Sequence, residues 1–264
     1  MQAALLVDVG RFEIGSIPRP TPRPDEILLR VGAVGVCGTD LHIVSGVANY
    51  NRDANGRLIP LAEQPQILGH EIAGVVDAVG SDVSDLEAGD PVVVDQGRNC
   101  VSERRDPLCE YCSTEASHQC DHYREHGITG LPGGFAEFLA IPAVNAVRVN
   151  PELDLASAVL TEPLACVLHA CDVLSRTPAR YGTTSATRDE GRRATGQGQR
   201  AATILVLGAG PAGLLFVQGL RKVMGFDGTL LVADPNPRKR ALAAAFGAAV
   251  IDPSSVDIAE AIAE

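Results

Sequence analysis

From residue 1 to about residue 150 the apolar positions come in short, β-branched runs cut by Gly, Pro and Asp: EILLRVGAVGV, EIAGVVDAVG, DPVVVDQG and GGFAEFLAIP. Runs of that length between turn formers predict strands, and their number predicts an all-β unit closed into a partly open barrel. The spacing changes at residues 155–175, LASAVLTEPLACVLHACDVLS, where Leu160, Leu164, Val167, Leu168 and Cys171 fall on one helical face. Residues 175–200 are rich in Ser, Thr, Gly, Arg and Gln and hold almost no large apolar side chain, so burial cannot repay their ordering. They read as a flexible insert, whose arginines suit a solvated linker better than an anion site. From residue 201 the sequence ATILVLGAGPAGLLFVQGLRKVMGFDGTLLVADPNPRKRALAAAFGAAVID alternates strand, helix, strand, helix and strand. That is a βαβαβ unit, the first half of a doubly wound parallel sheet.

Composition narrows the function classes. With 264 residues, two domains are expected, and a net charge of −11 disfavours nucleic acid or an anionic membrane as partner. No apolar run approaches the ~20 residues of a bilayer span, and the N-terminus lacks signal-peptide features, so a cytoplasmic protein is expected. Seven cysteines in such a chain are better read as metal ligands or thiols than as disulfides.

Two clusters carry the chemistry. Gly208-Ala209-Gly210-Pro211-Ala212-Gly213 directly follows an apolar strand and opens a helix. There the first glycine makes the tight turn, the second admits a pyrophosphate, and the third lets helix and strand pack closely, while the helix N-terminus offers free N–H groups. Asp234 ends the next strand, 21 residues beyond Gly213, where a carboxylate can accept the ribose hydroxyls of NAD and would repel the 2′-phosphate of NADP. Arg238 and Arg240 keep NADP open as the lesser option. The second cluster is Cys37-Gly38-Thr39-Asp40-Leu41-His42 with Gly69-His70-Glu71. Thiolate, imidazole and carboxylate form a donor set that zinc accepts, although a buried Cys and a satisfied His are common without a metal.

The GTD and GHExxG motifs, the EPLACVLHA stretch at 162–170 and the later glycine triad occur in the order seen in zinc-containing medium-chain alcohol and polyol dehydrogenases, which this chain resembles over nearly its whole length outside the insert. The resemblance implies a GroES-like catalytic domain over residues 1–174, with a structural zinc lobe at about 97–125, followed by the insert and a partial Rossmann domain over 201–264. It implies that Cys37 and His70 are catalytic zinc ligands and that Glu71 and Glu162 share the remaining positions, directly or through water. The EPL context of Glu162 is similar to the sorbitol, threonine and glucose dehydrogenase branches, which favours polyols and sugars over ethanol. Zinc lowers the pKa of a bound alcohol, so that hydride can leave for the nicotinamide. Thr39 and His42 match the family's proton relay, with imidazole suited to its outer end. Asp40 would orient His70, or else Thr39 and Asp40 simply cap a turn.

Cys109, Cys112 and Cys120 form a CxxC followed by a returning cysteine, a strong zinc spacing. The family's first structural ligand lies three residues earlier, at Asp106 here. Asp106 is preferred on register, Cys100 is the alternative, and His118 and His122 are substitutes. Cys166 and Cys171 read as small buried residues, His169 as a packed core histidine, and the segment from Glu125 to Leu131 as a lining of the substrate cleft in which no side chain is assigned a role.

A six-strand doubly wound domain needs about 150 residues, and 64 follow Arg200. The reading is therefore a C-terminally truncated dehydrogenase with an exposed parallel edge, leaving homo-oligomerisation doubtful though open. Two other classes stand beside it: a zinc- and nucleotide-binding remnant without turnover, and a zinc-free quinone reductase of the same fold, which the Cys37 and His70 pair disfavours.

Overall fold

A computed structural model describes residues 1–176 and 203–259, in two compact units, Met1–Glu162 and Pro163–Glu264. The insert expected at 175–200 lies outside the described residues except for its first two, which end a helix.

The first unit contains β1 (Gln2–Asp8), β2 (Arg11–Ser16), β3 (Glu26–Gly35), α1 (Gly38–Val44), β4 (Glu71–Val79), β5 (Pro91–Val94), β6 (Gly97–Arg98), α2 (Glu110–Ser113), β7 (Arg124–Glu125), β8 (Phe138–Pro142), β9 (Ala146–Arg148) and α3 (Leu155–Ala158). Each apolar run singled out above supplies a strand, and the central sheet is antiparallel in the order β8-β3-β4-β5-β9. β1 and β2 form a hairpin, and β6 and β7 a short ribbon. The core of the sheet is Ile27, Leu29, Ile72, Val76, Val92, Val94, Leu139 and Ile141, all nearly inaccessible to solvent. Burying each such side chain contributes about 1.5–3 kcal/mol.

Register positions the site. β3 and β4 pair so that Gly35, the last residue of one, faces Glu71, the first of the other, with bulges between Leu28 and Leu29 and between Val31 and Ala33. Cys37, two residues beyond β3, is thereby returned to His70, which immediately precedes β4.

The helical reading of 155–175 resolves into α3 and α4 (Thr161–Arg176), and the division between the units falls inside α4, at Glu162/Pro163. Leu160, expected on the buried face, lies between the two helices and is exposed, whereas Val167 and Cys171 are buried in the second unit's core. Cys166 and His169, expected to be packed, are exposed. Leu155–Val173 is the one described stretch that is long and apolar enough for a bilayer span by length and composition, with a mean hydropathy of 1.3. Glu162, His169 and Asp172 interrupt that stretch.

The second unit continues with β10 (Thr203–Leu207), α5 (Pro211–Gln218), β11 (Thr229–Ala233), α6 (Pro237–Ala245) and β12 (Ala249–Ile251). The strands are parallel in the order β10-β11-β12, as the βαβαβ pattern predicts. Among the described residues β10 pairs only with β11, and Leu207 at its end is largely exposed.

Candidate active site

Cys37 Sγ, a ring nitrogen of His70 and a carboxylate oxygen of Glu71 all lie within 4.8 Å of one another. His70 and Glu71 are buried and Cys37 is half-buried. Asp40, 2% exposed, ties the group together: Oδ2 accepts the Cys37 N–H at 2.9 Å, Oδ1 accepts the Gly69 N–H at 3.1 Å, and Oδ1 lies 3.5 Å from His70 Nδ1. Burial works against a proton on His70, but the Asp40 carboxylate 3.5 Å from Nδ1, with Cys37 beside it, overcomes burial and lifts the imidazole to about 9. Surroundings that hold a proton this firmly suit a cation, and the donor set fits zinc.

Thr39 is half-buried, with Oγ1 3.9 Å from Cys37 Sγ, and His42 is exposed in the last turn of α1. Glu162 is not among the three converging groups; its Oε1 accepts a hydrogen bond from Gln96 Nε2 at 2.9 Å. Sequence alone does not distinguish Glu71 from Glu162 as a donor, and Gln96 stands in no motif that marks it. Asp40→Asn is expected to lower the metal affinity of this group about 10- to 100-fold. Chelator competition would measure this, with any metal on the lobe cysteines retained as internal control.

The loop after β7 supports the GHE segment from behind. His126 is buried, and its Nδ1–H donates to Pro132 O at 2.8 Å; burial pushes its pKa down to about 4, so the ring is neutral. Gly69 has a φ of +88°, and a Cβ at Gly127 would lie 2.4 Å from Gly69 O. The segment expected to line the cleft thus packs directly on the backbone that carries His70.

In the lobe, Cys100, Cys109, Cys112 and Cys120 converge, with Sγ–Sγ separations of 3.6 Å for Cys100–Cys120 and 3.8 Å for Cys109–Cys120. A tetrahedron with Zn–S bonds of about 2.3 Å has S–S edges of about 3.8 Å. The preference for Asp106 is not met by the geometry: Asp106 is exposed and outside the group, and the fully buried Cys100 lies with the other three sulfurs instead. His118 and His122 are exposed and also outside it. Backbone N–H groups of Cys112 and Asp121 lower the Cys109 thiol to about 6, whereas burial pushes Cys112 up to about 12. Cys109 and Cys112 are thus held apart, one eased toward the thiolate by backbone donors and the other held protonated by burial.

At the dinucleotide turn Gly208 has a φ of +93°, Gly210 is the N-cap of α5 with open space where a side chain would project, and Pro211 and Ala212 begin the helix. A Cβ on Gly213 would lie 2.0 Å from Gly208 O. Asp234 is buried; Oδ2 accepts the Ala209 N–H at 2.8 Å and Oδ1 the Asn236 N–H at 2.7 Å, which holds its pKa below the usual carboxylate value. Arg240 is engaged with Asp234 O and Asp252, and Arg238 is exposed at the start of α6. Because the clash is with backbone, Gly213→Ala is expected to destabilise the turn by about 1–3 kcal/mol and to abolish nucleotide binding, as read by NADH fluorescence titration.

Residues 23–151 match the alcohol dehydrogenase GroES-like domain family. The chain is 30% identical over 250 residues to sorbitol dehydrogenase of Bacillus subtilis (strain 168), covering 94% of this chain and 60% of that protein. It is 31% identical over 246 residues to L-threonine 3-dehydrogenase of Thermococcus kodakarensis, covering 93% and 59%. It superposes with a TM-score of 0.77 and 28% identity on an alcohol dehydrogenase of Escherichia coli CFT073 in complex with NADH, covering 100% of this chain and 65% of that one. A protein of Sinorhizobium meliloti 1021, described as a zinc-binding dehydrogenase and bound to NADP, matches with a TM-score of 0.77 and 31% identity over 98% and 64% of the two chains. The chain spans about 60% of the length of the curated relatives it matches. The β-rich unit, the glycine turn and these likenesses agree, and together they support the medium-chain alcohol and polyol dehydrogenase family for this chain.

Proposed function

We propose that this chain carries the zinc- and nicotinamide-binding machinery of a dehydrogenase that oxidises a secondary alcohol, polyol or sugar hydroxyl with NAD. The convergence of Cys37, His70 and Glu71 within 4.8 Å carries the reading. Zinc, when bound there, supplies Lewis acidity that eases removal of the substrate's hydroxyl proton. Cys37, His70 and Glu71 hold it, and Asp40 fixes the orientation of His70 and the backbone of Cys37. Glu162, held by Gln96, is kept as a neighbouring carboxylate without a direct ligand role. Thr39 Oγ1 would relay the substrate proton, giving up its own hydroxyl proton as it accepts one, and the exposed imidazole of His42 would be the outer base that passes the released proton to water. Gly208, Gly210 and Gly213 with the N-terminus of α5 bind the pyrophosphate, and Asp234 receives the ribose hydroxyls on lone pairs left free by its two backbone donors.

NAD is favoured over NADP because the Asp234 carboxylate would face a 2′-phosphate with like charge, although the matched structures include one of each. Sorbitol, butanediol and threonine, named in the relatives, all carry a secondary hydroxyl, which supports that substrate class. The four-cysteine lobe takes a second zinc, which stabilises the lobe without chemistry. Incubating the purified chain with NAD and a panel of polyols, aldoses and secondary alcohols tests the reading. NADH formation that depends on zinc supports it; bound zinc with neither NAD binding nor turnover overturns it in favour of a non-catalytic zinc-binding protein.

A further inference from the structure

Gly35 ends β3 opposite Glu71, and its backbone does not take the positive φ that glycine alone tolerates well. Conformation therefore does not require a glycine, which in a strand weakens packing. Space does require it: a Cβ at position 35 would lie 1.9 Å from Glu71 Oε2 and 3.0 Å from both Glu71 Cβ and Cδ. We propose that Gly35 is a positioning residue whose missing side chain is the slot that seats the Glu71 carboxylate against Cys37 and His70. Gly35 thereby selects Glu71 over Glu162 as the third donor, since Glu162 is held aside by Gln96. The inference rests on the reading that this group holds zinc.

The atom nearest the added Cβ is the far end of a flexible side chain, so Gly35→Ala is relieved by swinging the carboxylate away while the strand pairing survives. The test is a double-mutant cycle of Gly35→Ala and Glu71→Ala, read as Zn2+ affinity by chelator competition and as the visible spectrum of the Co2+-loaded protein. Gly35→Ala is expected to weaken the metal at this group at least tenfold and to shift its cobalt bands toward those of Glu71→Ala. In the Glu71→Ala background the same change is expected to alter neither affinity nor spectrum, because there is no carboxylate left to displace. Equal losses from Gly35→Ala in both backgrounds, or wild-type affinity and spectrum in the single variant, would overturn the positioning role while leaving the zinc reading intact. A wild-type chain that binds metal only at its four-cysteine lobe would overturn the zinc reading itself, and the inference with it.

Discussion

Cys37→Ala is expected to remove one metal ion per chain and to reduce NADH formation to background. The group holds a single sulfur, and its loss leaves one imidazole and one carboxylate, too few donors for a catalytic zinc that needs three protein ligands and an open position. If altering an outer partner of a metal ligand weakens binding about 10- to 100-fold, deleting the ligand should exceed about 100-fold. The fold should tolerate the change. Cys37 is only half-buried, and the backbone N–H that anchors it to Asp40 is kept by alanine, so the stability loss should be about 1 kcal/mol. Metal analysis, NADH formation and thermal melting on the same preparation separate the loss of a ligand from a loss of structure. Retained turnover in Cys37→Ala would refute the mechanism.

Cys100→Ala should do the opposite: a large fall in stability, with the Cys37 group still loaded. The lobe has almost no apolar core of its own. Its buried cluster is Cys100, Cys112 and Cys120, with Cys109 and Tyr123 packed against them, so on the proposed reading the lobe depends on its sulfurs and the ion they would hold. Metal binding at a structural site of this kind contributes directly to folding. Loss of one of four ligands is expected to cost on the order of 3–5 kcal/mol, or roughly 10 °C in Tm at about 2–4 °C per kcal/mol. Asp106→Ala, at an exposed position outside the group, should stay within about 0.5 kcal/mol of wild type. Differential scanning calorimetry of the two variants decides between the ligand that register favoured and the one that geometry brings in. A large loss from Asp106→Ala with none from Cys100→Ala would reverse the assignment.

The strands, the βαβαβ unit and the glycine turn were legible because each rests on local information: an apolar period, a turn residue, or a steric need at a single position. The apolar run Val92–Val94 is buried throughout, Val92 and Val94 in one cluster and Val93 in another, and Gly213 packs against Gly208 O as the motif requires. What escaped the sequence depended on the chain folding back on itself. Asp106 matched the expected ligand by counting along the chain, but the loop that begins at Cys100 returns that sulfur to within 3.6 Å of Cys120. Glu71 and Glu162 were indistinguishable until β3 and β4 paired and Gln96 took up the second carboxylate. Likewise the apolar residues of α4 gave its period without giving its partners, which is why Cys166 and His169 were expected inside and lie outside.

Zinc content of the purified chain, measured beside that of Cys37→Ala and Cys100→Ala, tests the central claim most directly. The account predicts two equivalents in the wild type and one in each variant, because the two groups share no ligand. A wild-type chain that holds a single equivalent, unchanged by Cys37→Ala, would contradict it.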